Sequence, residues 1–61
     1  MLPDDPVMLL SVINLKLRDF YPSFEALCED LEADADTITK KLAALGYQYD
    51  AAQNRFVSSD T

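Results

Sequence analysis

The fold is decided by the stretch from Ser23 to Tyr47, which reads SFEALCEDLEADADTITKKLAALGY. Its apolar residues recur at helical spacing on both sides of Glu32-Ala33. A linker without Gly or Pro must be short and packed, so the pattern predicts two helices joined in a helix-turn-helix-like arrangement. The predicted core of this pair consists of Leu27, Cys28, Leu31, Ala33, Ile38, Leu42 and Leu45.

A first helix is predicted upstream, from about Pro6 to Asp19. Asp4-Asp5-Pro6 is a start signal, because Asp can cap free amides and Pro loses no hydrogen bond at the first helical position. Tyr21-Pro22 ends this helix, since a residue before proline avoids the α region. Ser23 is the predicted cap of the second helix, Phe24 to about Leu31.

The third helix has its own start and stop signals. Asp34 is the predicted cap, with Asp36 as the alternative. The helix runs to about Leu45 and stops at Gly46, the only glycine, which supplies a left-handed conformation after a helix.

The pattern after Gly46 changes to that of a β-hairpin. Tyr47-Gln48-Tyr49 alternates, 50–54 is turn-like, and Arg55-Phe56-Val57 is β-prone, with Phe56 predicted to pack inward. The expected fold is therefore mainly α with minor β: three helices and a short C-terminal β-hairpin, like a truncated winged helix. Residues 1–57 form the predicted domain and 58–61 a flexible tail.

The first helix has more apolar surface than one packing partner needs. One broad face, expected to pack on the other helices, consists of Leu9, Leu10, Ile13, Leu17 and Phe20. The adjacent face carries Met8, Val12 and Leu15, which we predict to be a homodimer interface because contiguous exposed apolar patches mark interfaces. The alternative is that the other helices surround the first helix on both faces.

Composition favours self-association as the source of extra stability. A chain of 61 residues is near the lower limit for independent folding. Cys28 is the only cysteine and there is no histidine, which excludes an internal disulfide and argues against zinc. A buried hydrophobe explains Cys28 better than a nucleophile, because no histidine can serve as its base.

A net charge of -6 argues against nucleic acid and anionic membranes as partners. No segment approaches a membrane span and no basic region precedes an apolar run, so we expect a cytoplasmic protein. The acidic run CEDLEADAD lacks the glycine of a calcium loop. We expect no catalytic residues, metal, cofactor or small-molecule substrate.

Two further surfaces are candidates for contacts. The outward positions of the third helix form a candidate partner surface of Ala35, Asp36, Thr39, Lys40 and Ala43. In a DNA reader this surface would lie in the major groove, but only Lys40, Lys41 and Arg55 could neutralise phosphates. A polar strip on the first helix, Ser11, Asn14 and Arg18, either satisfies neighbouring loops or contacts a partner.

Three strings cover most of the chain: MLPDDPVMLLSVINLKLRDFY, FEALCEDLEAD and KLAALGYQYDAAQNRF. They resemble a family of small bacterial proteins, domain-of-unknown-function family 4250. The resemblance implies a small cytoplasmic bacterial protein and brings no activity, substrate or catalytic residue with it. The leading hypothesis is a non-enzymatic, homodimeric protein–protein interaction module with a possible further protein partner. The alternative is a helix-turn-helix DNA-binding regulator with weak phosphate contacts.

Overall fold

The computed structural model describes residues 2–59. Over this range, three helices precede a two-stranded antiparallel sheet: α1 (Pro6–Asp19), α2 (Phe24–Leu31), α3 (Ala35–Ala43), β1 (Tyr47–Asp50) and β2 (Arg55–Ser58). The predicted class, mainly α with a C-terminal hairpin, is confirmed. Over these residues, no helix has the length and apolar character needed to cross a membrane.

The predicted caps of α2 and α3 are present. The Ser23 hydroxyl accepts a hydrogen bond from the Ala26 amide at 3.0 Å. The Asp34 carboxylate accepts from the Asp36 amide at 3.1 Å and from the Thr37 hydroxyl at 2.9 Å. Each cap accepts a hydrogen bond from a backbone amide of the first helical turn, which has no carbonyl partner within the helix.

The start of α1 differs from the prediction in one respect. Asp5 occupies the N-cap position but makes no side-chain cap hydrogen bond. Pro6 stands at the first helical position, where its fixed φ suits the helix. The proline rather than an aspartate cap therefore marks this start.

The turn between α2 and α3 is short, as predicted, and contains no glycine. Glu32 takes the left-handed conformation with φ 53°. The Ala33 amide donates to the Cys28 carbonyl at 2.9 Å, which satisfies an orphan carbonyl at the end of α2. The three-residue turn thus joins α2 and α3 as a helix-turn-helix-like pair.

Two residues expected in the core lie outside it. Phe20, expected on the inward face of α1, is 71% exposed, because its φ of -127° takes the chain out of the helix there. Leu45 is 37% exposed, because α3 ends at Ala43 rather than at Leu45. Gly46 adopts φ +82° as predicted, in open space, so backbone conformation alone requires glycine.

The core lies where α1, α2, α3 and β2 meet. Its buried members are Leu9, Ile13, Leu17, Phe24, Leu27, Cys28, Ile38, Leu42 and Phe56. Phe56, which was predicted to pack inward, contacts the Phe24 ring edge-to-face at 4.9 Å between centroids. Tyr49 pairs with Phe56 across the hairpin, and its ring centroid lies 5.5 Å from that of Phe56. These three rings attach the hairpin to α2.

The hairpin extends past the predicted domain end at residue 57. Ser58 belongs to β2 and pairs with Tyr47. The Ser59 amide donates to the Gly46 carbonyl at 2.7 Å, which continues the contact by one residue. The rest of the predicted tail, Asp60 and Thr61, lies outside the described residues.

Candidate functional site

The outer face of α1 presents the residues of the predicted dimer interface. Met8 is 56% exposed and Leu15 is 49% exposed, while Val12 is half-buried. The opposite side of the same helix supplies the buried Leu9 and Ile13. We call Met8, Val12 and Leu15 the outer face of α1. It leaves apolar side chains in contact with water, on the side of α1 away from the core.

The polar strip of α1 divides into one structural residue and two surface residues. The Asn14 amide nitrogen donates to the Phe56 carbonyl at 3.1 Å, and its oxygen accepts from the Phe56 amide at 2.7 Å. This pair of bonds imitates a neighbouring strand and closes the outer edge of β2 at that residue. Asn14 therefore satisfies backbone groups, as one of the two interpretations predicted, whereas Ser11 and Arg18 remain exposed.

Asn54 connects the hairpin turn to the end of α1. Its amide nitrogen donates to the carbonyls of Leu17 at 3.0 Å and Tyr21 at 2.9 Å. Its oxygen accepts from the Tyr49 hydroxyl at 2.6 Å, and that hydroxyl accepts from the Phe24 amide at 3.2 Å. The chain of bonds links α1, α2 and β1 through one side chain.

From the sequence, Asn54 was predicted only to be a turn residue. Asn54 has φ 53°, a left-handed conformation in which Asn is several-fold enriched, so its residue type was the signal that the sequence offered. Nothing in the local sequence identifies carbonyl groups 33 and 37 residues away as its partners.

Arg18 is oriented by its neighbour Asp19. The guanidinium donates to both carboxylate oxygens, at 3.0 and 3.1 Å. These bonds and the attraction of opposite charges raise the pKa of Arg18, and the same hydrogen bonding lowers the pKa of Asp19. Because the pair is exposed to water, it adds little to folding stability. The Asp19 carboxylate offsets part of the positive charge of Arg18 at the surface.

A groove runs between α1 and the hairpin, with a volume of about 860 Å³. We call it the α1–hairpin groove. Among the residues that line it are Leu10, Ser11, Leu15, Arg18, Tyr47 and Arg55. Asn14 and Asn54 also line it, but their amides are engaged with backbone groups of the two walls. The exposed part of the polar strip thus meets Arg55 in one concave surface.

The candidate partner surface on α3 is mostly accessible. Asp36, Thr39, Lys40 and Ala43 are exposed, and Ala35 is half-buried against the core. Of the three basic residues that could contact phosphates, two interact or lie elsewhere than on this surface. Lys41 forms an ion pair with Asp4 at 3.5 Å, and Arg55 lines the α1–hairpin groove. No feature of the α2–α3 pair therefore adds support to the DNA-binding alternative, which stays a prediction.

Cys28 lies in the core, as predicted. Its thiol pKa is raised, first by burial and then by the negative charge of Asp34. A raised pKa keeps the sulfur in the thiol form, which is the less reactive one. Within residues 2–59, no three His, Cys, Asp or Glu side chains come together as metal ligands.

Comparison with known protein families gives a match over most of the chain. Residues 3–56 match a family described as Domain of unknown function (DUF4250). No curated protein and no solved structure matches the chain.

Proposed function

The chain belongs to the DUF4250 family, as its sequence strings predict, and we propose that it is a protein–protein interaction module that forms a homodimer through the outer face of α1. The observation that carries this proposal is the exposure of Met8 and Leu15, at 56% and 49%, on a helix that buries Leu9, Ile13 and Leu17 on its other side. Burial of such side chains is favourable by roughly 25 cal/mol per Å² of apolar area.

The spacing of the outer face suits packing against another helix. Met8, Val12 and Leu15 are separated by four and three residues, which is the spacing of the seam in helix pairs. The stripe is only about two turns long, so we expect a dissociation constant in the micromolar range. Its partner must present an apolar stripe of similar length.

A second copy of the chain is the partner that best fits the size of the fold. Among residues 2–59 the core has nine buried residues, few for a free-standing domain. A two-fold axis places the same apolar stripe on both sides of the contact, so each copy covers the other's exposed residues. A standard interface of about 800 Å² per partner would cover roughly a fifth of the 4221 Å² accessible surface.

Sedimentation equilibrium on the whole chain tests the homodimer. We expect a concentration-dependent dimer, and a monomer for Met8→Glu or Val12→Glu, because each variant places a charge inside the apolar contact. Ala43→Glu is the matched control: it adds the same charge at an exposed position of α3 and should leave the dimer intact. A wild-type chain that stays monomeric up to about millimolar concentration would refute the homodimer.

Salt dependence separates an apolar contact from an ionic one. Two copies of charge -6 repel each other, and added salt screens that repulsion. Dimerisation through the outer face of α1 should therefore strengthen as salt increases. Weaker dimerisation at high salt would instead point to an interface made of ion pairs. Circular dichroism of each variant confirms that the monomeric variants are still folded.

A further inference from the structure

We propose that the α1–hairpin groove binds an acidic peptide segment of a partner protein, one that carries an apolar side chain next to its carboxylates. This would give the module a second binding site, which takes a different class of partner from the homodimer face. The two surfaces adjoin at Leu15, which belongs to both. Neither Met8 nor Val12 lines the groove.

The charges of the groove are opposite in sign to those of the chain as a whole. Arg18 and Arg55 line it, which places two of the five basic residues at one surface of a chain with eleven acidic residues. Among the described residues, no Asp or Glu lines this groove. The groove beside the start of α2 is different, since it is lined by Glu25, Glu29 and Asp30. Charge complementarity therefore selects an anionic occupant for the α1–hairpin groove.

The arginines suit carboxylates in particular. A guanidinium offers several N–H donors in a fixed plane, which matches the two oxygens of a carboxylate. Asp19 accepts from two of the donors of Arg18 and offsets part of its charge, so Arg55 carries the larger share of the attraction. The remaining donors, together with those of Arg55, are the groups that would receive the acidic side chains of the peptide.

The apolar lining distinguishes a peptide from a small free anion. Leu10 and Leu15 on α1 and Tyr47 on β1 lie in the same groove as the arginines. A small anion would make only exposed ion pairs, which contribute little to affinity in water. A peptide would also bury apolar area against these side chains, which is where most of its affinity would come from.

The two walls of the groove are already fixed relative to each other. Asn14 joins α1 to β2 by two hydrogen bonds, and Asn54 joins the hairpin turn to the Leu17 carbonyl at 3.0 Å. Little conformational entropy remains to be lost in the walls when a ligand binds. The backbone of the groove is thus preorganised for binding.

A random library of twelve-residue peptides displayed on phage, selected on the immobilised whole chain, tests the proposal. Enriched peptides should carry Asp or Glu beside Leu or aromatic residues. Fluorescence anisotropy with a labelled enriched peptide then measures the affinity. Arg55→Glu should weaken binding about tenfold or more, since it removes a charge-assisted contact and adds repulsion. Lys40→Glu is the matched control, because it makes the same charge change at an exposed position of α3.

The outcomes distinguish this site from the homodimer face. Peptide binding that survives Met8→Glu but not Arg55→Glu supports the groove, whether or not the chain dimerises. No enrichment, enrichment of peptides without acidic residues, or equal losses for Arg55→Glu and Lys40→Glu would overturn it. Titration with inorganic phosphate and with succinate forms a further arm, and an affinity equal to that of the peptide would overturn a peptide ligand. Loss of the dimer in Arg55→Glu would show instead that the groove is occupied by a second copy.

Discussion

The α2–α3 pair and the junction between α1 and the hairpin are stabilised in different ways. In the α2–α3 pair, the side-chain hydrogen bonds that cap the two helices are local: the Ser23 cap spans three residues, and the Asp34 cap spans two and three. At the junction, the Asn14 and Asn54 amides bind backbone groups 33 to 42 residues away. The caps of the first region depend on neighbouring residues, whereas the asparagine bonds of the second region form only when distant parts of the chain meet.

The two candidate functional surfaces lie at the junction or on the helix beside it. The junction closes the fold, and its two walls form the α1–hairpin groove. The outer face of α1 lies on the helix that contributes one of those walls. The α2–α3 pair, which resembles a DNA-binding motif, adds its buried residues to the core and presents acidic residues at its turn. Both proposed contacts therefore involve α1 rather than the helix that a DNA reader would use.

The largest expected effect comes from removing the aromatic ring at the junction. Phe56→Ala deletes a fully buried ring that contacts Phe24 and Tyr49, and should cost about 3–5 kcal/mol of the free energy of unfolding. A chain of this size has roughly 3–9 kcal/mol in total, so the variant should be largely unfolded by circular dichroism. Phe56→Leu, measured by urea unfolding, should remain folded. If Phe56→Ala were as stable as wild type, the junction between α1 and the hairpin would not be required for folding.

Removal of the Asn14 side chain should cause the next largest loss in the free energy of unfolding. Asn14→Ala leaves both the amide and the carbonyl of Phe56 without their partner, and we expect a loss of about 2 kcal/mol in the free energy of unfolding. Ser11→Ala changes an exposed residue of the same strip and should stay within about 0.5 kcal/mol of wild type. Urea unfolding of both variants measures the contrast. If the two variants lost the same free energy of unfolding, Asn14 would contribute no more to stability than the exposed Ser11.

A cap of the α2–α3 pair should matter less than Asn14. Ser23→Ala removes the hydrogen bond to the Ala26 amide and should cost about 1 kcal/mol of unfolding free energy. Thr39→Ala, at an exposed position inside α3, is the control and should change stability little. If the loss from Ser23→Ala exceeded that from Asn14→Ala in the same urea series, the order of the two regions would be reversed.

The smallest effect should appear in the pH dependence of the α3 cap. The Thr37 hydroxyl and then the Asp36 amide lower the pKa of Asp34. A lowered pKa in the folded state means that the charged carboxylate stabilises the fold above the unfolded-state pKa of about 4, and that this contribution is lost as pH falls through the folded-state pKa. The melting temperature of Asp34→Asn should thus be below that of wild type at neutral pH and approach it in acid.

Thr37→Val provides the matching control for this titration. It removes the hydrogen bond that contributes most to the shift, so the pKa of Asp34, followed by NMR, should rise towards its ordinary value. An unchanged pKa in Thr37→Val would show that the hydroxyl is not the cause of the shift.

Local signals predicted the parts of the structure that depend on neighbouring residues. The caps at Ser23 and Asp34, the left-handed Gly46 and the inward Phe56 were all predicted from spacing and residue type, and are present. Helical periodicity was wrong at Phe20 and Leu45, because both residues follow the last residue of their helix, α1 at Asp19 and α3 at Ala43. Once the backbone leaves the helix, the side chain no longer follows the face of its predecessors.

By itself, then, the sequence determined the number of helices, their caps, the hairpin and the apolar excess of α1, because each depends on contacts a few residues apart or on side-chain composition. Only the tertiary structure decided that Asn14 and Asn54 bind distant backbone groups, and that Arg18 and Arg55 line one groove. An exposed arginine or a turn asparagine carries no local sign of its partner. Those partners are chosen by how α1 and the hairpin pack around Phe56, where burial of the ring brings distant polar groups within hydrogen-bonding distance.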